Sequence, residues 1–279
     1  MINSFLKSFL YPSPRINLRK LGNLYEGQTC LVTGATSGIG KSLTKLLMTL
    51  RANLVLLGRN EEELNRLCKE AGNLGLNAVA YVVDFRNEEE LNRVATELKS
   101  NDYRIDFFFA NAGKSIHRSI EQSVDRLHDF DRTMSINYRA HVQLLLALFP
   151  ELKRSRGSVV YSNSVSLLYP PAPGWSAYHA SKGAMDIWLR TAKVEWKRAG
   201  IRVHNAYLPL VDTPMSAPNK SYRNLPKYYS EEAAWILLKL AVSPSRSSYM
   251  PWWARCTVPL ARIFRLPIEW YYRKYYYER

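Results

Sequence analysis

The stretch TGATSGIGK, Thr33 to Lys41, holds glycines at positions 34, 38 and 40 in the order G-x-x-x-G-x-G. It follows the short apolar run TCLV and precedes the helical pattern KSLTKLLMTL. At such a junction Gly34 permits a tight turn, and Gly38 and Gly40 let the backbone approach a pyrophosphate at a helix N-terminus. Glycines can also serve helix–strand packing alone, but their place between strand and helix favours a dinucleotide-binding turn.

The rest of the chain repeats this alternation of apolar runs and helical patterns. Further apolar runs are NLVLLG, AVAYVVD, IDFFFANAG, GSVVYSNS and IRVHNAYLP. The helical patterns between them include a long one that ends at Phe149 and one over about residues 176–199. Strands that alternate with helices form a parallel sheet covered on both faces. The sequence therefore predicts an α/β fold, a Rossmann-type doubly wound parallel sheet with helices on both faces.

Two terminal segments differ from this pattern. Residues 1–26 mix apolar and basic side chains and form an N-terminal lead-in, whereas residues 27–245 read as one α/β domain without a linker. Residues 246–279 form an extension that carries seven Arg or Lys against two Glu, with ten aromatic residues from Tyr249 onward. Prolines at positions 251, 259 and 267 are expected to break this extension into short pieces.

Composition narrows the class of protein. The 279 residues are 47% hydrophobic and 23% charged, as in an ordinary globular protein, and the formal charge of +15 favours anionic partners. The three cysteines and five histidines show no metal-ligand spacing, so no metal site is expected. The sequence has neither an apolar run of about 18 residues nor the features of a secretory signal. These features predict a cytoplasmic protein in a reducing compartment.

The second apolar run ends NLVLLGRN, with Gly58 and Arg59 where an NAD site usually places a carboxylate. A carboxylate accepts hydrogen bonds from the ribose 2′-hydroxyl, whereas a guanidinium pairs with a 2′-phosphate. The alternative is an exposed arginine that starts a loop. The missing carboxylate predicts NADP(H) in preference to NAD(H).

Two later strand ends add candidates for the adenosine half of the cofactor. Asp84, in VVDF, can hydrogen-bond the adenine edge or can cap the next helix. Asn111, in ANAG, can brace its strand, and the small residues Ala112 and Gly113 leave room for the ribose.

Tyr178 and Lys182 lie four residues apart in SAYHASKGA, one turn along the same helical face. Hydride transfer to a carbonyl leaves negative charge on oxygen, which then needs a proton. Tyr178 can supply it if the ammonium of Lys182 and the positive nicotinamide ring lower its pKa. Lys182 can also hold the nicotinamide ribose, and Ser164 can polarise the carbonyl with a hydrogen bond. The alternative is an exposed Tyr–Lys pair on a helix.

With TGATSGIG, NAG, Asn137 in MSINYRAHVQL, Ser164 and YHASK in this order, the chain resembles the short-chain dehydrogenase/reductase family. The resemblance runs from about residue 28 to residue 213. It implies an NAD(P)-dependent oxidoreductase, often a homo-oligomer, with a catalytic set of Asn137, Ser164, Tyr178 and Lys182. In this family Asn137 would hold a water on the proton path. The predicted cofactor-binding residues are Thr33, Gly34, Thr36, Ser37, Gly38, Ile39, Gly40, Arg59, Asp84, Asn111, Ala112, Gly113, Tyr178, Lys182, Pro209, Val211 and Thr213.

The loop after the sixth strand departs from the family's usual proline–glycine. It reads YLPLVDTPM, so Leu210 follows Pro209, while Thr213 keeps the place that binds the nicotinamide carboxamide. This loop and NAGKSIHRSIEQSVDRLHDFDRTMSINY are similar to segments of bacterial long-chain acyl-CoA reductases. The resemblance implies reduction of a fatty acyl-CoA or fatty aldehyde with NADPH. Its substrate-binding residues would be Ser164, Tyr178 and Leu210.

Basic residues near the predicted substrate entrance can hold coenzyme A phosphates, or they can be solvated loop charges. They are Lys114, His117, Arg118, Lys220, Arg223 and Lys227.

Two other functions use the same residues. A ketone such as a 3-ketosphinganine, 3-oxoacyl or hydroxysteroid-type lipid would need the same catalytic set. An NADP(H)-sensing scaffold would keep the fold without turnover, but it has no chemical need for all four catalytic residues.

The extension at residues 246–279 predicts a further partner. Tyr and Trp favour the boundary between water and an apolar phase, and Arg and Lys favour anionic headgroups. We therefore expect peripheral contact with the cytoplasmic side of an anionic membrane. The alternative is packing on the domain or on a second subunit, and nucleic acid is not expected because no recognition motif accompanies the charge.

Overall fold

A parallel sheet of seven strands organises the chain, and a computed structural model describes residues 2–101 and 103–276. The strand order is β3-β2-β1-β4-β5-β6-β9, and β7 and β8 form a separate parallel pair. This arrangement confirms the predicted doubly wound α/β fold. The strands are β1 Thr29–Thr33, β2 Asn53–Gly58, β3 Ala78–Val82, β4 Phe107–Ala110, β5 Ser158–Ser164, β6 Arg202–Leu208, β7 Val211–Asp212, β8 Tyr228–Tyr229 and β9 Ser248–Tyr249.

Helices cover both faces of the sheet. Helices α2, α3, α4 and α10 pack on one face, and α5, α7 and α9 pack on the other. The helices are α1 Ile2–Leu10, α2 Leu18–Tyr25, α3 Gly38–Thr49, α4 Glu61–Asn73, α5 Glu88–Ser100, α6 Leu127–Met134, α7 Ala140–Ala147, α8 Phe149–Ser155, α9 Ser176–Glu195, α10 Ser230–Ala241, α11 Trp252–Ile263 and α12 Arg265–Tyr276.

Apolar residues on alternate sides of each strand build two cores. In β1, Val32 points into the core beneath α3 and α10, while Leu31 points into the core beneath α5 and α9. Leu31 lies between Val55 of β2 and Phe108 of β4 in the sheet register. Because the central strands are buried on both faces, they read as continuous apolar runs rather than alternating ones.

Local capping fixes where α4 and α5 begin. The side chain of Asn60 accepts a hydrogen bond from the backbone N–H of Glu63, and Asn87 does the same for Glu89 and Glu90. Each helix has three glutamates in its first turn, where carboxylates interact favourably with the helix dipole. These caps fix the first residues of the two helices that follow β2 and β3.

The prediction of one long helix before Phe149 is wrong in detail, because this part of the chain forms several shorter elements. The chain from Asn111 to Arg126 contains only a short 3₁₀ turn at Glu121–Ser123. A π-helical turn over Ser135–Arg139 then joins α6 to α7. A π turn adds one residue to the helical repeat, and here it places Asn137 in a fully buried position.

The prediction for the extension is also wrong in part. Two helices of 12 residues, α11 and α12, replace the expected short pieces. Pro259 lies inside α11 and is exposed. Because proline has no N–H, one backbone carbonyl in the preceding turn loses its helical hydrogen bond, and at this exposed position water can replace it. Pro267 lies in the first turn of α12, which tolerates proline.

Candidate active site

A cleft of about 1310 Å³ opens along the carboxyl ends of the parallel strands. It collects nearly all of the residues predicted to bind cofactor or substrate. Those that line it are Gly34, Thr36, Ser37, Gly38, Ile39, Arg59, Asp84, Asn111, Ala112, Gly113, Ser164, Tyr178, Lys182, Pro209, Leu210, Val211 and Thr213. Three predicted residues, Thr33, Gly40 and Asn137, are not among the lining residues and lie behind the cleft.

The glycine turn at the start of α3 has the geometry that its sequence predicts. Gly34 has φ +67° and Gly38 has φ +49°, a region that L side chains rarely adopt. A Cβ on Gly40 would lie 2.0 Å from the carbonyl oxygen of Gly34. The turn therefore tolerates no side chain at Gly40 and leaves its backbone open to the cleft at Gly34 and Gly38, as a pyrophosphate would require.

Thr33 supports this turn from beneath. Its fully buried hydroxyl accepts hydrogen bonds from the backbone N–H groups of Asn111, at 2.9 Å, and Ala112, at 3.0 Å. The side chain of Asn111 in turn accepts from the hydroxyl of Ser162 at 3.1 Å. Thr33 thus holds the ends of β1 and β4 together and does not itself face the cleft.

Three charged side chains lie at the end of the cleft formed by β2 and β3. The guanidinium of Arg86 donates to the carboxylate of Asp84, and Arg59 lines the cleft beside them. Hydrogen bonding by Arg86, with a further contribution from Arg59, lowers the pKa of Asp84. The alternative role of Asp84 as a helix cap is wrong, because Asn87 caps α5. Among the residues that line this end of the cleft, two are cationic and one is a carboxylate, while Glu90 lies behind them and accepts from the Asp84 backbone N–H at 2.8 Å.

Tyr178 and Ser164 face each other further along the cleft, where β5 ends and α9 begins. Burial raises the pKa of Tyr178 to about 12, and hydrogen bonding with Ser164 opposes part of that rise. The expected net fall in the pKa of Tyr178 is therefore wrong, because burial outweighs any effect of Lys182 and holds this pKa above its ordinary value of 10.0. The consequence is a phenol that remains fully protonated at neutral pH.

Lys182 lies on the next turn of α9 and is only 5% exposed. Its ammonium group hydrogen-bonds to the backbone of β5 and not to Tyr178. Its Nζ donates to the carbonyl of Ser162 at 2.7 Å and lies 4.3 Å from the ring centroid of Tyr161. Burial lowers the pKa of Lys182 to about 7. The lysine is thus poised to gain or lose a proton near neutral pH.

Asn137 fixes the backbone of Lys114 from the π turn. Its side chain accepts from the Lys114 N–H at 2.7 Å, donates to the Lys114 carbonyl at 2.8 Å and donates to Ser181 at 2.9 Å. Its own carbonyl accepts from the hydroxyl of Tyr161 at 2.7 Å. Both amide hydrogens are occupied, so the predicted water would have to donate to the side-chain oxygen or to the backbone carbonyl oxygen of Asn137, or bind a neighbouring group.

A short hydrogen-bonded chain lies behind Ser164. The hydroxyl of Ser166 is 2.8 Å from the hydroxyl of Ser164, and the Nε2 atom of His179 is 3.1 Å from Ser166. The Ser164 hydroxyl also accepts from the backbone N–H of Ser166 at 3.3 Å. Burial lowers the pKa of His179, which keeps its ring neutral at pH 7.

Aromatic side chains form a wall beside Tyr178. Trp175 stacks parallel to Tyr222, with 6.3 Å between ring centroids, and contacts Tyr178 edge-on at 5.8 Å. The ring of His117 lies 4.6 Å from Trp175 on its other side. Tyr272, from α12, also lines the cleft. This wall suits an apolar substrate better than a polar one.

The basic residues proposed for phosphate binding separate into groups. Lys114 and His117 line the cleft, whereas Arg118 pairs with Asp129 at 3.0 Å and Lys227 pairs with Asp212 at 2.9 Å. Arg223 is exposed outside the cleft, and the side chain of Lys220 lies outside the described part of the structure.

The sequence patterns did not predict four charged or aromatic residues that line the cleft. Arg86 follows Asp84 by two residues, and Arg132 lies on α6, so only the fold shows that both reach the cleft. Trp175 had a local signal, since it stands three residues before Tyr178. Tyr272 had none, because it arrives from the far end of the chain.

Within residues 2–101 and 103–276, no cluster of three or more His, Cys, Asp or Glu side chains could hold a metal ion. Over the same ranges, every helix is too short or too polar to cross a membrane.

Comparison with known proteins identifies the class to which this fold and site belong. Residues 28–224 match the model of the short chain dehydrogenase family, so the chain is a member of that family of oxidoreductases. This match confirms the family resemblance and the expectation of an enzyme.

Named relatives and solved structures agree with this assignment. The chain is 35% identical over 214 residues to a fatty acyl-CoA reductase of Acinetobacter baylyi, covering 76% of this chain and 72% of that protein. It is 34% identical over 222 residues to a fatty acyl-CoA reductase of Mycobacterium tuberculosis, covering 79% and 76%. A 3-ketoacyl-(acyl-carrier-protein) reductase of Brucella melitensis, solved in complex with NADH, has a similar fold. It superposes with a TM-score of 0.69 at 23% identity, covering 80% of this chain and 93% of that one.

Proposed function

We propose that this oxidoreductase uses NADPH to reduce the carbonyl of a long-chain lipid, with a fatty acyl-CoA or fatty aldehyde as the favoured substrate. One observation carries the proposal. A single cleft runs from the cationic end at Arg59 and Arg86, past Tyr178 and Ser164, to the aromatic wall at Trp175. The cationic end suits a phosphorylated cofactor, and the aromatic end suits an apolar substrate. The two ligands would meet at Tyr178, the proton donor.

The residues present fit a nicotinamide dinucleotide. The turn at Gly34 and Gly38 offers backbone to a pyrophosphate, and a Cβ on Gly34 would lie 2.9 Å from the Cα atom of Ala112. Arg59 and Arg86 would hold a 2′-phosphate, and Lys182 would hold the nicotinamide ribose. When bound, the cofactor supplies the hydride.

The side chains of the chain then handle the proton. Tyr178 holds a proton on its phenolic oxygen, because its pKa of about 12 lies far above neutral pH. Ser164 donates a hydrogen bond to the carbonyl oxygen and so fixes it next to that phenol. A cationic Lys182, below the phenol on the same helix, favours the phenolate that remains after proton transfer.

The relatives support the choice of substrate. Two of them are named fatty acyl-CoA reductases, and the identities of 34–35% extend over three quarters of this chain. Reduction of an acyl thioester to an aldehyde consumes one hydride and one proton and releases the thiol. The catalytic groups needed are those for an aldehyde or a ketone, so substrate choice depends on the wall and not on Tyr178.

A substrate panel tests the proposal. NADPH oxidation is followed with palmitoyl-CoA, a long-chain aldehyde and 3-ketosphinganine, each against a reaction without substrate. We expect turnover with palmitoyl-CoA or the aldehyde. Turnover with ketosphinganine alone would favour the ketone-lipid alternative, and NADPH binding without oxidation by any of the three would favour the sensing scaffold.

A further inference from the structure

We propose that helices α11 and α12 dock the protein on an anionic lipid surface and place the mouth of the cleft at that surface. The role of this surface in substrate delivery rests on the proposed function. The docking itself is independent of that function and follows from the two opposite faces of the extension.

The inner face of the extension forms part of the cleft. Tyr272 of α12 lines it, and the hydroxyl of Thr257 on α11 bonds to the hydroxyl of Tyr169, another lining residue. Ala254 and Val258 are buried beneath α11, at 0% and 7% exposure. The extension is therefore packed on the domain beside the cleft.

The outer face exposes large apolar side chains to solvent. Ile263 is 75% exposed, Leu266 is 74% exposed and Trp270 is 60% exposed. Phe264, between the two helices, is 54% exposed. Clustered exposed apolar residues of this size commonly mark an interaction site, whereas single ones need no explanation.

The N-terminal helix adds to this surface. The ring of Phe9 lies 4.9 Å from that of Trp252, edge-on, and the indole N–H of Trp252 donates to the Phe9 carbonyl at 2.9 Å. Phe9 is itself 54% exposed and Trp252 is 43% exposed. Helix α1 is thereby held beside the start of α11.

The charge of the extension favours lipid over a second copy of the chain. Residues 246–279 carry seven cationic side chains and two glutamates. The carboxylate of Glu269 is already paired with the guanidinium of Arg265, with 2.6 Å between Oε1 and Nε. Lys274 lies 5.3 Å from the ring centroid of Trp270, so a cation and an aromatic ring share one surface. Two such surfaces repel one another, whereas anionic headgroups attract each of them.

Vesicle co-sedimentation of the full chain tests the docking. Wild-type protein is mixed with phosphatidylcholine vesicles, with or without phosphatidylglycerol. We expect binding that depends on phosphatidylglycerol and falls with added salt. Leu266→Glu should reduce the bound fraction about tenfold, because it places a charge in the apolar surface. The matched control is Leu74→Glu, at a residue 50% exposed outside the extension, which should bind like wild type.

The outcomes separate docking from catalysis. Leu266→Glu should keep wild-type turnover of a soluble short-chain aldehyde, since Leu266 lies outside the cleft, and should lose turnover of substrate presented in vesicles. Equal sedimentation of the Leu266→Glu and Leu74→Glu variants overturns the docking proposal whatever the activity. A second result would also overturn it: the wild-type protein is a dimer that does not bind vesicles, and Leu266→Glu dissociates that dimer. The surface would then serve to bind a second copy of the chain. Vesicle binding without turnover of any lipid supports docking and contradicts only the proposed function.

Discussion

The hydroxyl of Ser166 lies 2.8 Å from that of Ser164, and the backbone N–H of Ser166 donates to the same Ser164 oxygen. A serine oxygen that accepts two hydrogen bonds has its own proton left to donate elsewhere. His179 can complete this arrangement if its Nε2 carries hydrogen and donates to Ser166. The hydrogen bonds from Ser166 would then leave the single hydroxyl proton of Ser164 free to donate to the substrate carbonyl.

Ser166→Ala should therefore lower kcat about tenfold, the scale of one lost hydrogen bond, with the KM for NADPH unchanged. His179→Phe should cause the same loss, and His179→Gln should recover most of it because an amide can still donate. Steady-state kinetics on these variants and on the Ser166→Ala/His179→Phe pair are the measurement. Additive losses in the pair would show that the two residues do not act through one chain.

The pH dependence of reduction should report Lys182. Its pKa of about 7 means that it is cationic below that pH and neutral above it, while Tyr178, with a pKa of about 12, stays protonated throughout. We expect kcat/KM for reduction to be level below about pH 7 and to fall above it. A profile measured from pH 5.5 to 9.5 that shows no break near 7 would contradict this role.

The same shift affects stability. Burial depresses the pKa of Lys182 in the folded chain below its ordinary value of 10.5, so the unfolded chain binds more protons between these two values. Burial of the charged Lys182 therefore lowers the free energy of unfolding by its full amount below about pH 7. This loss of stability becomes smaller as the pH rises toward 10.5. Lys182→Met should remove this contribution, which denaturant unfolding at pH 7 and pH 9 can measure.

Cofactor preference should depend on Arg59. Arg59→Asp should weaken NADPH binding at least tenfold and leave NADH binding within about threefold, because only NADPH carries the phosphate that pairs with the guanidinium. Arg93→Asp is a control, since Arg93 pairs with Glu97 on α5 and does not line the cleft. Fluorescence titration with both cofactors gives the ratio, and an unchanged ratio in Arg59→Asp would remove the case for NADPH.

The glycine turn should be intolerant of a methyl group. Gly40→Ala places a Cβ 2.0 Å from the Gly34 carbonyl, so we expect a loss of about 1–3 kcal/mol in the free energy of unfolding and weaker NADPH binding. Gly22→Ala, in the middle of α2 with no atom within 4 Å of the new Cβ, should instead gain about 0.5–1 kcal/mol. Urea denaturation of both variants checks the contrast. Equal effects would mean that the turn is not constrained as described.

The features that sequence predicted well are those encoded locally. The alternation of apolar runs and helical patterns predicted six of the seven strands of the main sheet, and the spacing of Tyr178 and Lys182 placed both on α9. The seventh strand, Ser248–Tyr249, has two residues and becomes a strand only because β6 offers an edge to it. Such a strand has no pattern of its own.

Features that depend on tertiary contacts could not be predicted. The pKa of Tyr178 was expected to fall from its position relative to Lys182, but burial raises it to about 12 while the lysine bonds to the Ser162 carbonyl. The place of Tyr272 in the cleft depends on how α12 folds back, which no spacing in the sequence encodes. The cofactor preference and the membrane contact stay predictions, and the experiments above address them.

The most direct test of the account is the effect of Tyr178→Phe on the reduction of a long-chain acyl-CoA or aldehyde. The variant removes one hydroxyl from the cleft and leaves the ring in contact with Trp175. We expect product formation from NADPH to fall by about 10²–10⁴-fold while NADPH binding stays within about threefold of wild type. Lipid product formed by Tyr178→Phe at the wild-type rate would contradict the assignment of Tyr178 as the proton donor.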